Sequence, residues 1–194
     1  MWYVMQVYTG TEMEICERCR ARIMEEGEDI FVPLAERMTK VRGQRTMVTT
    51  RLFPGYVFVE TDRIEDFYAR LRQMDVMAKV LKVGERMVSV YPEEEAWLRQ
   101  LCGGAHVAEY SEGYIEGDTL IITSGALKAV EGKVKKLLRH KRLVVMEIQL
   151  MGQNMEVTLG LGVVSRQGTG MIREIRMETR QVPTGIEEEI VNFR

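Results

Sequence analysis

The ten residues "RLFPGYVFVE", 51 to 60, constrain this chain more than any other stretch. Successive side chains of a strand point to opposite faces, so Tyr56 and Phe58 fall on one side and Val57 and Val59 on the other. Both faces are apolar, and each needs a cover, either from a helix of the same chain or from another molecule. A strand of this kind belongs inside a layered domain.

The flanking sequence supplies layers. "WYVMQVYTG" is rich in β-branched and aromatic residues and predicts a strand ending at Gly10. A helix follows, in which Thr11 and Glu14 have capping-box spacing, Ile15, Cys19 and Ile23 make one apolar stripe, and Gly27 supplies the stop. "DIFVPL" predicts a short strand, and "ERMTKVRGQRTMVTT" a hairpin with its tip near Arg42-Gly43-Gln44. Next come a helix over "RIEDFYARLRQ", a strand in "VMAKVLKV" and a helix in "PEEEAWLRQL", where Pro92 suits the first helical position and three glutamates the positive end of the dipole. The expectation is an α+β sandwich over residues 1–102, with helices packed on an antiparallel sheet.

Residues 103–113, "GGAHVAEYSEG", lack a hydrophobic period and predict an interdomain linker. Short strands with glycine punctuation follow in "DTLIIT", "GKVKKLL", "LVVMEIQL" and "NMEVTLG", and predict a small β-barrel over residues 114–165. Residues 166–194 are expected as a C-terminal extension. In it "MIREIRMETR" reads as a charged helix or an edge strand, and "PTGIEEEIVNF", with Thr184 three residues before Glu187, as a short amphipathic helix.

Composition narrows the class. The 194 residues are 45% hydrophobic and 29% charged, the balance of an ordinary globular protein. The opening "MWYVMQVYTGTEMEICERCR" passes from a short apolar stretch into charged helix residues, unlike a secretory signal, and no apolar run nears the roughly 18 residues that a bilayer span needs. A cytoplasmic protein without membrane contact is expected. Cys16 and Cys19 form a Cys-x-x-Cys pair, but the second pair of zinc ligands is missing, because the only histidines, His106 and His140, stand alone. These thiols and Cys102 are expected as packing residues, with no metal and no cofactor. No phosphate-cradling loop or nucleophile elbow is present, and an enzyme is not expected.

The net charge of −2 conceals a local excess. Lys128, Lys133, Lys135, Lys136, Arg139, Lys141 and Arg142 face Glu131 alone within fifteen residues. The hairpin carries a second excess, with Arg37, Lys40, Arg42, Arg45 and Arg51 against Glu36.

Three elements, in this order and spacing, resemble the NusG family of transcription elongation factors over roughly residues 1–165: "WYVMQVYTG", "RLFPGYVFVE" and "GDTLIITSGALKAVEGKV". The first two are similar to that family's amino-terminal domain and the third to its KOW motif. In the KOW element Gly125 and Gly132 flank a loop between short strands, while Ile121 and Val134 would face the barrel interior. Where the family's commonest version has a proline and a phenylalanine, this chain has Ala126 and Leu127. "VRGQRTMVTTRLFPGYVFVE" is closer to specialised branches, LoaP-like or RfaH-like, which act on selected operons and suppress pausing and termination.

The resemblance implies partners. The amino-terminal domain would bind the clamp helices of RNA polymerase through an apolar depression to which Phe53, Tyr56 and Phe58 contribute, a few aromatic anchors supplying most of the affinity. Arg37, Lys40, Arg42 and Arg45 would touch phosphates of upstream DNA. Lys128, Lys133, Lys135, Lys136, Arg139, His140, Lys141 and Arg142 would bind nascent RNA, their charges converging at one end of the barrel. A monomer promoting processive antitermination is the expectation. Two alternatives stay open: a general NusG factor whose barrel binds a ribosomal protein or Rho, and a ribosome-associated RNA-binding protein.

Overall fold

The computed structural model describes residues 1–116, 119–130, 133–165, 175–181 and 187–193. The chain forms two compact units, one from Met1–Pro33 and Phe53–Ala96, the other from Leu34–Leu52 and Trp97–Arg194. Along the chain the elements are β1 (Trp2–Val7), α1 (Glu12–Arg22), β2 (Asp29–Phe31), β3 (Leu34–Val41), β4 (Gln44–Arg51), β5 (Tyr56–Glu60), α2 (Ile64–Leu71), β6 (Ala78–Val80), β7 (Lys82–Val83), β8 (Arg86–Met87) and α3 (Pro92–Cys102). They continue as β9 (Val107–Ala108), β10 (Ser111–Glu116), β11 (Thr119–Ser124), β12 (Lys133–Leu138), β13 (Leu143–Leu150), β14 (Gln153–Ser165), β15 (Ile175–Gln181) and β16 (Glu187–Phe193).

The first unit is built on a four-stranded sheet of order β2-β5-β1-β6, with β5 antiparallel to both neighbours. The α+β architecture read from the sequence appears in this unit, but without all of the expected 1–102 span, because the Leu34–Leu52 hairpin and residues from Trp97 onward group with the second unit. Trp2, Phe31, Phe53 and Phe58 form an aromatic cluster, with ring centroids 4.9 to 6.1 Å apart. All four are at most 3% exposed, so each contributes about 1.5–3 kcal/mol by burial, plus roughly 0.5–1.5 for ring–ring geometry. Ile15, Cys19 and Ile23 are buried as their stripe predicts, and so are Ile64, Phe67 and Leu71 of α2.

The capping box is a correction. Thr11 is the N-cap of α1 but makes no side-chain cap bond; its hydroxyl donates to the Tyr8 carbonyl at 2.8 Å, and Glu14 pairs instead with Arg18. The acid that ties down the start of α1 is Glu12, which is fully buried and accepts from the amides of Gly10 at 2.8 Å and Gly55 at 2.7 Å. A second brace joins α2 to the chain after α1. Arg70 donates to the Ile23 carbonyl and to Glu28 and also bridges Glu25. Burial opposes the charged form of Glu28, but hydrogen bonds from Thr61, the Glu25 amide and Arg70 prevail and hold its carboxyl below the usual range.

In the second unit β3 and β4 pair from Leu34↔Arg51 out to Val41↔Gln44. Arg42 and Gly43, at φ 50° and 85°, make the two-residue turn, which fits the primed turns that match strand twist. The segment predicted as a linker holds structure of its own, because β9 pairs in parallel with β3 and β10 starts at Ser111. The barrel closes in the order β10-β11-β16-β15-β12-β13-β14, with β14 returning to β10 in parallel. Ile121 and Val134 are buried in it. Gly125 has φ 87°, and a Cβ there would lie 2.4 Å from the Tyr110 carbonyl, so only glycine fits. Gly132 and Thr184 lie outside the described residues. The amphipathic helix expected near the end is replaced by β16, paired with β11 and β15; Ile190, Val191 and Phe193 are strand-favouring residues, and tertiary pairing overrides the cap-like spacing.

Candidate functional site

In the first unit an apolar groove of about 420 Å³ opens beside the edge pair β1–β6. Val7, Tyr8, Val76, Met77 and Ala78 line it, with Gln6 and Lys79 at its margin. Tyr8 is 64% and Met77 68% exposed, unusual for side chains of that size standing together. Both walls are braced. The Val7 amide donates to Gly55 and the Thr11 amide to Tyr8, and the buried Glu12 carboxylate clasps Gly10 and Gly55, fixing the turn that carries Tyr8. On the opposite wall the Arg18 guanidinium donates to the Asp75 carbonyl, two residues before Met77. Gly55, at φ 85°, permits the close approach; a Cβ there would sit 3.2 Å from Thr9 Oγ1.

The aromatic anchors expected on the surface need correction. Phe53 and Phe58 are 1% and 0% exposed and belong to the internal cluster. Along the same sheet face the burial changes. Val4↔Phe58 is sealed, whereas the next pair outward, Gln6↔Tyr56, is exposed and half-buried. Only Tyr56 of the three keeps solvent access. Tyr8 and Met77 were missed in the sequence, because one sits in a turn and the other outside any regular period.

The basic residues divide in the same way. Arg37 is half-buried and donates to the Thr158 carbonyl of β14 at 2.7 Å, while burial pushes its guanidinium below the usual range. Its neighbour Glu36 accepts from the Tyr110 amide at 3.0 Å, and a Cβ on Gly160 would meet the Glu36 carbonyl at 2.4 Å. These contacts explain why the hairpin packs with the barrel, and they remove Arg37 from the set of DNA-facing cations. Lys40, Arg42 and Arg45 are exposed near the hairpin tip.

On the barrel, Lys135 bonds Glu156 and lies 3.9 Å from Glu147, so its charge is matched by two carboxylates. Glu156, by hydrogen bond and by charge, holds its ammonium pKa above the usual value. Nor do the cations converge at one end. Lys133 begins β12 and Arg139 follows its last residue, a rise of about 20 Å at roughly 3.3 Å per residue. Lys128 ends a separate 3-10 turn, Ala126–Lys128, and Lys136 is exposed along the strand. The compact group is Arg139, His140, Lys141 and Arg142, where His140 and Lys141 are exposed and Arg142 takes φ 55°.

Cys16, Cys19 and Cys102 are buried free thiols, and Cys16 donates to the Ile30 carbonyl. Burial pushes Cys19 up to about 11 and Cys102 to about 12. Among the described residues no group of three or more His, Cys, Asp or Glu is placed to hold a metal ion, and no helix is long and apolar enough to cross a membrane.

Fold and surfaces define a two-part design: an α+β unit with an apolar groove, and a second unit built on a closed β-barrel. Known proteins share it. The family model "Transcription termination factor nusG" matches residues 1–99, and the chain belongs to the NusG family. The transcription termination/antitermination protein NusG of Vibrio parahaemolyticus is 24% identical over 172 residues, covering 85% of this chain and 94% of that protein. The protein of the same name from Halalkalibacterium halodurans is 24% identical over 167 residues, covering 81% and 93%. A solved structure, "Domain interaction in Thermotoga maritima NusG", has the same fold at a TM-score of 0.51 and 21% identity, covering 82% of this chain and 92% of that one. The chain is thus a NusG-like transcription termination/antitermination factor.

Proposed function

We propose that this factor binds the clamp helices of RNA polymerase through the Tyr8–Met77 groove and promotes processive antitermination at selected operons from the cytoplasm. The observation that carries the reading is the groove itself: two large apolar side chains held open on braced walls, with a polar margin, as at the centre of a protein interface. Half-buried Tyr56, the strand partner of Gln6, extends the surface next to the groove. The factor acts as a monomer by preferring one polymerase state over another, so the paused state loses population through differential affinity alone. The 139–142 turn, with Lys128 and the lysines of β12, holds nascent RNA, and Lys40, Arg42 and Arg45 touch phosphates of upstream DNA.

The test is single-round transcription across an intrinsic terminator with RNA polymerase and the full chain. Read-through should rise with the wild type and fall to the factor-free level with Tyr8→Ala/Met77→Glu; equal read-through for both would overturn the groove reading. Binding of the full chain to an RNA hairpin should weaken with salt at a logarithmic slope of about −0.7 per neutralised phosphate, near −3 for four. Retention of Rho or a ribosomal protein in place of RNA would instead support a general factor.

A further inference from the structure

A second depression, of about 340 Å³, lies wholly on the barrel, and its chemistry is unlike that of the first. Glu112, Gly113 and Tyr114 of β10 line it, with Thr123 of β11, Arg142 and Gly162 of β14. Each part has a reason to be there. In β10 the burial alternates, so Glu112 and Tyr114 face outward while Ser111, Gly113 and Ile115 face in. Glu112 pairs with Gly162 across the parallel strands, and the Tyr110 ring packs against Gly162, its hydroxyl 2.7 Å from where a Cβ would stand. A side chain at Gly162 would compete with Tyr110 for the floor next to Glu112. Thr123 donates to the Glu112 carbonyl at 3.1 Å and fixes the backbone under the carboxylate. Arg142 is anchored as well: its carbonyl accepts from the Leu161 amide at 2.9 Å, which sets the left-handed turn against β14 beside Gly162.

A depression with one aromatic ring, one guanidinium and one carboxylate in its lining has the parts that read a single unstacked base. Splayed bases stack on aromatic rings or on guanidinium planes and are recognised by hydrogen bonds along the Watson–Crick edge. A carboxylate accepts and cannot donate. Guanine presents two adjacent donors on that edge, its ring N–H and its amino group, which match the two oxygens of a carboxylate. Adenine and cytosine each offer only an amino group, and uracil a single ring N–H between two acceptors that a carboxylate repels.

We propose that this depression seats one unpaired guanosine of a bound RNA, with Tyr114 or Arg142 stacked on the base and Glu112 accepting from its Watson–Crick edge. The proposal rests on the barrel's RNA-binding reading and deepens it by assigning a specificity residue. Arg139, His140 and Lys141 supply attraction without sequence preference, while Glu112 repels phosphate and tolerates RNA only where a guanine compensates it.

The full chain is titrated by fluorescence anisotropy with end-labelled uridine hexamers carrying guanosine, adenosine, cytidine or uridine at the fourth position, at low salt. Guanosine should bind about tenfold tighter than the other three. Glu112→Gln should erase that preference while leaving or raising affinity for the uridine hexamer. Lys141→Ala should weaken all four alike and keep their ratio. Equal affinity for the four hexamers in the wild type would overturn the guanosine seat and leave RNA binding standing. No binding of any hexamer, or of a structured RNA hairpin, would remove the RNA reading and this proposal with it.

Discussion

The aromatic block of β5 and the basic runs of the second unit were equally conspicuous as sequence, and the fold treats them alike. In each, conspicuous residues are committed to partners within the chain, and less conspicuous neighbours are left for the surface. Phe53 and Phe58 are sealed, while Tyr8 and Met77 stand open. Half-buried Arg37 and exposed Lys135 are each bonded to partners within the chain, while Lys40, Arg42, Arg45 and Lys141 stand exposed near the turns. The difference lies in how completely the conspicuous residues are committed. A buried ring leaves no surface function at all, whereas a bonded lysine on a strand still faces solvent.

The comparison breaks most decisively at Phe58. Phe58→Ala should cost about 3–5 kcal/mol by truncation in a packed core, read as urea unfolding of the first unit by Trp2 fluorescence in a Trp97→Phe background. Tyr8→Ala in the same background should stay within about 0.5 kcal/mol and lose polymerase binding. A destabilisation as large as that of Phe58→Ala would mean that Tyr8 is core and the groove closed.

Glu12→Ala should come next, at roughly 1–3 kcal/mol, because the buried Gly55 amide is left without this acceptor and the exposed Gly10 amide loses its tie to the helix start. It should also weaken polymerase binding, since the turn bearing Tyr8 loses its anchor. Gly160→Ala probes the second unit. Its Cβ would fall 2.4 Å from the Glu36 carbonyl, and a cost of about 1–3 kcal/mol is expected, with faster amide exchange along β3. Unchanged exchange there would show that the hairpin does not depend on β14.

The smallest effect at neutral pH is that of the thiols. Their folded pKa values, about 11 for Cys19 and 12 for Cys102, lie above the ordinary 9, so the folded state holds its protons longer. The stability they contribute is full below pH 9 and is lost as pH rises through 11 to 12. Unfolding midpoints should be flat from pH 7 to 8.5 and fall above 9, with Cys19→Ala flattening the decline of the first unit.

Elements were more legible than surfaces. Periods of two and four residues report which residues are buried, so β1, α1, α2, α3 and the β3–β4 turn could be read directly. They do not report who covers what. Tyr56 and Phe58 share a face and a motif, yet one is half-buried and the other sealed, because Phe58 packs with Phe31 and Phe53 while Tyr56 stands at the start of the strand. The convergence expected of the basic residues failed for a geometric reason, since a strand spreads its residues along its length. Glu12 was invisible because its partners are backbone amides 43 positions apart in one case and two in the other. The grouping of hairpin with barrel depends on Glu36, Arg37 and Gly160, which are distant in sequence and unremarkable singly.

The clasp of Glu12 on Gly55 has a consequence for how the molecule comes to life. Helix start and proline-glycine corner must meet before either is dry, and the chain between them contains the entire β3–β4 arm. A chain that ends before Gly55 leaves the Glu12 carboxylate without one of the two amides that hold it. On the proposed function, competence to dock arrives only after synthesis has passed both that corner and the Val76–Lys79 wall of the groove.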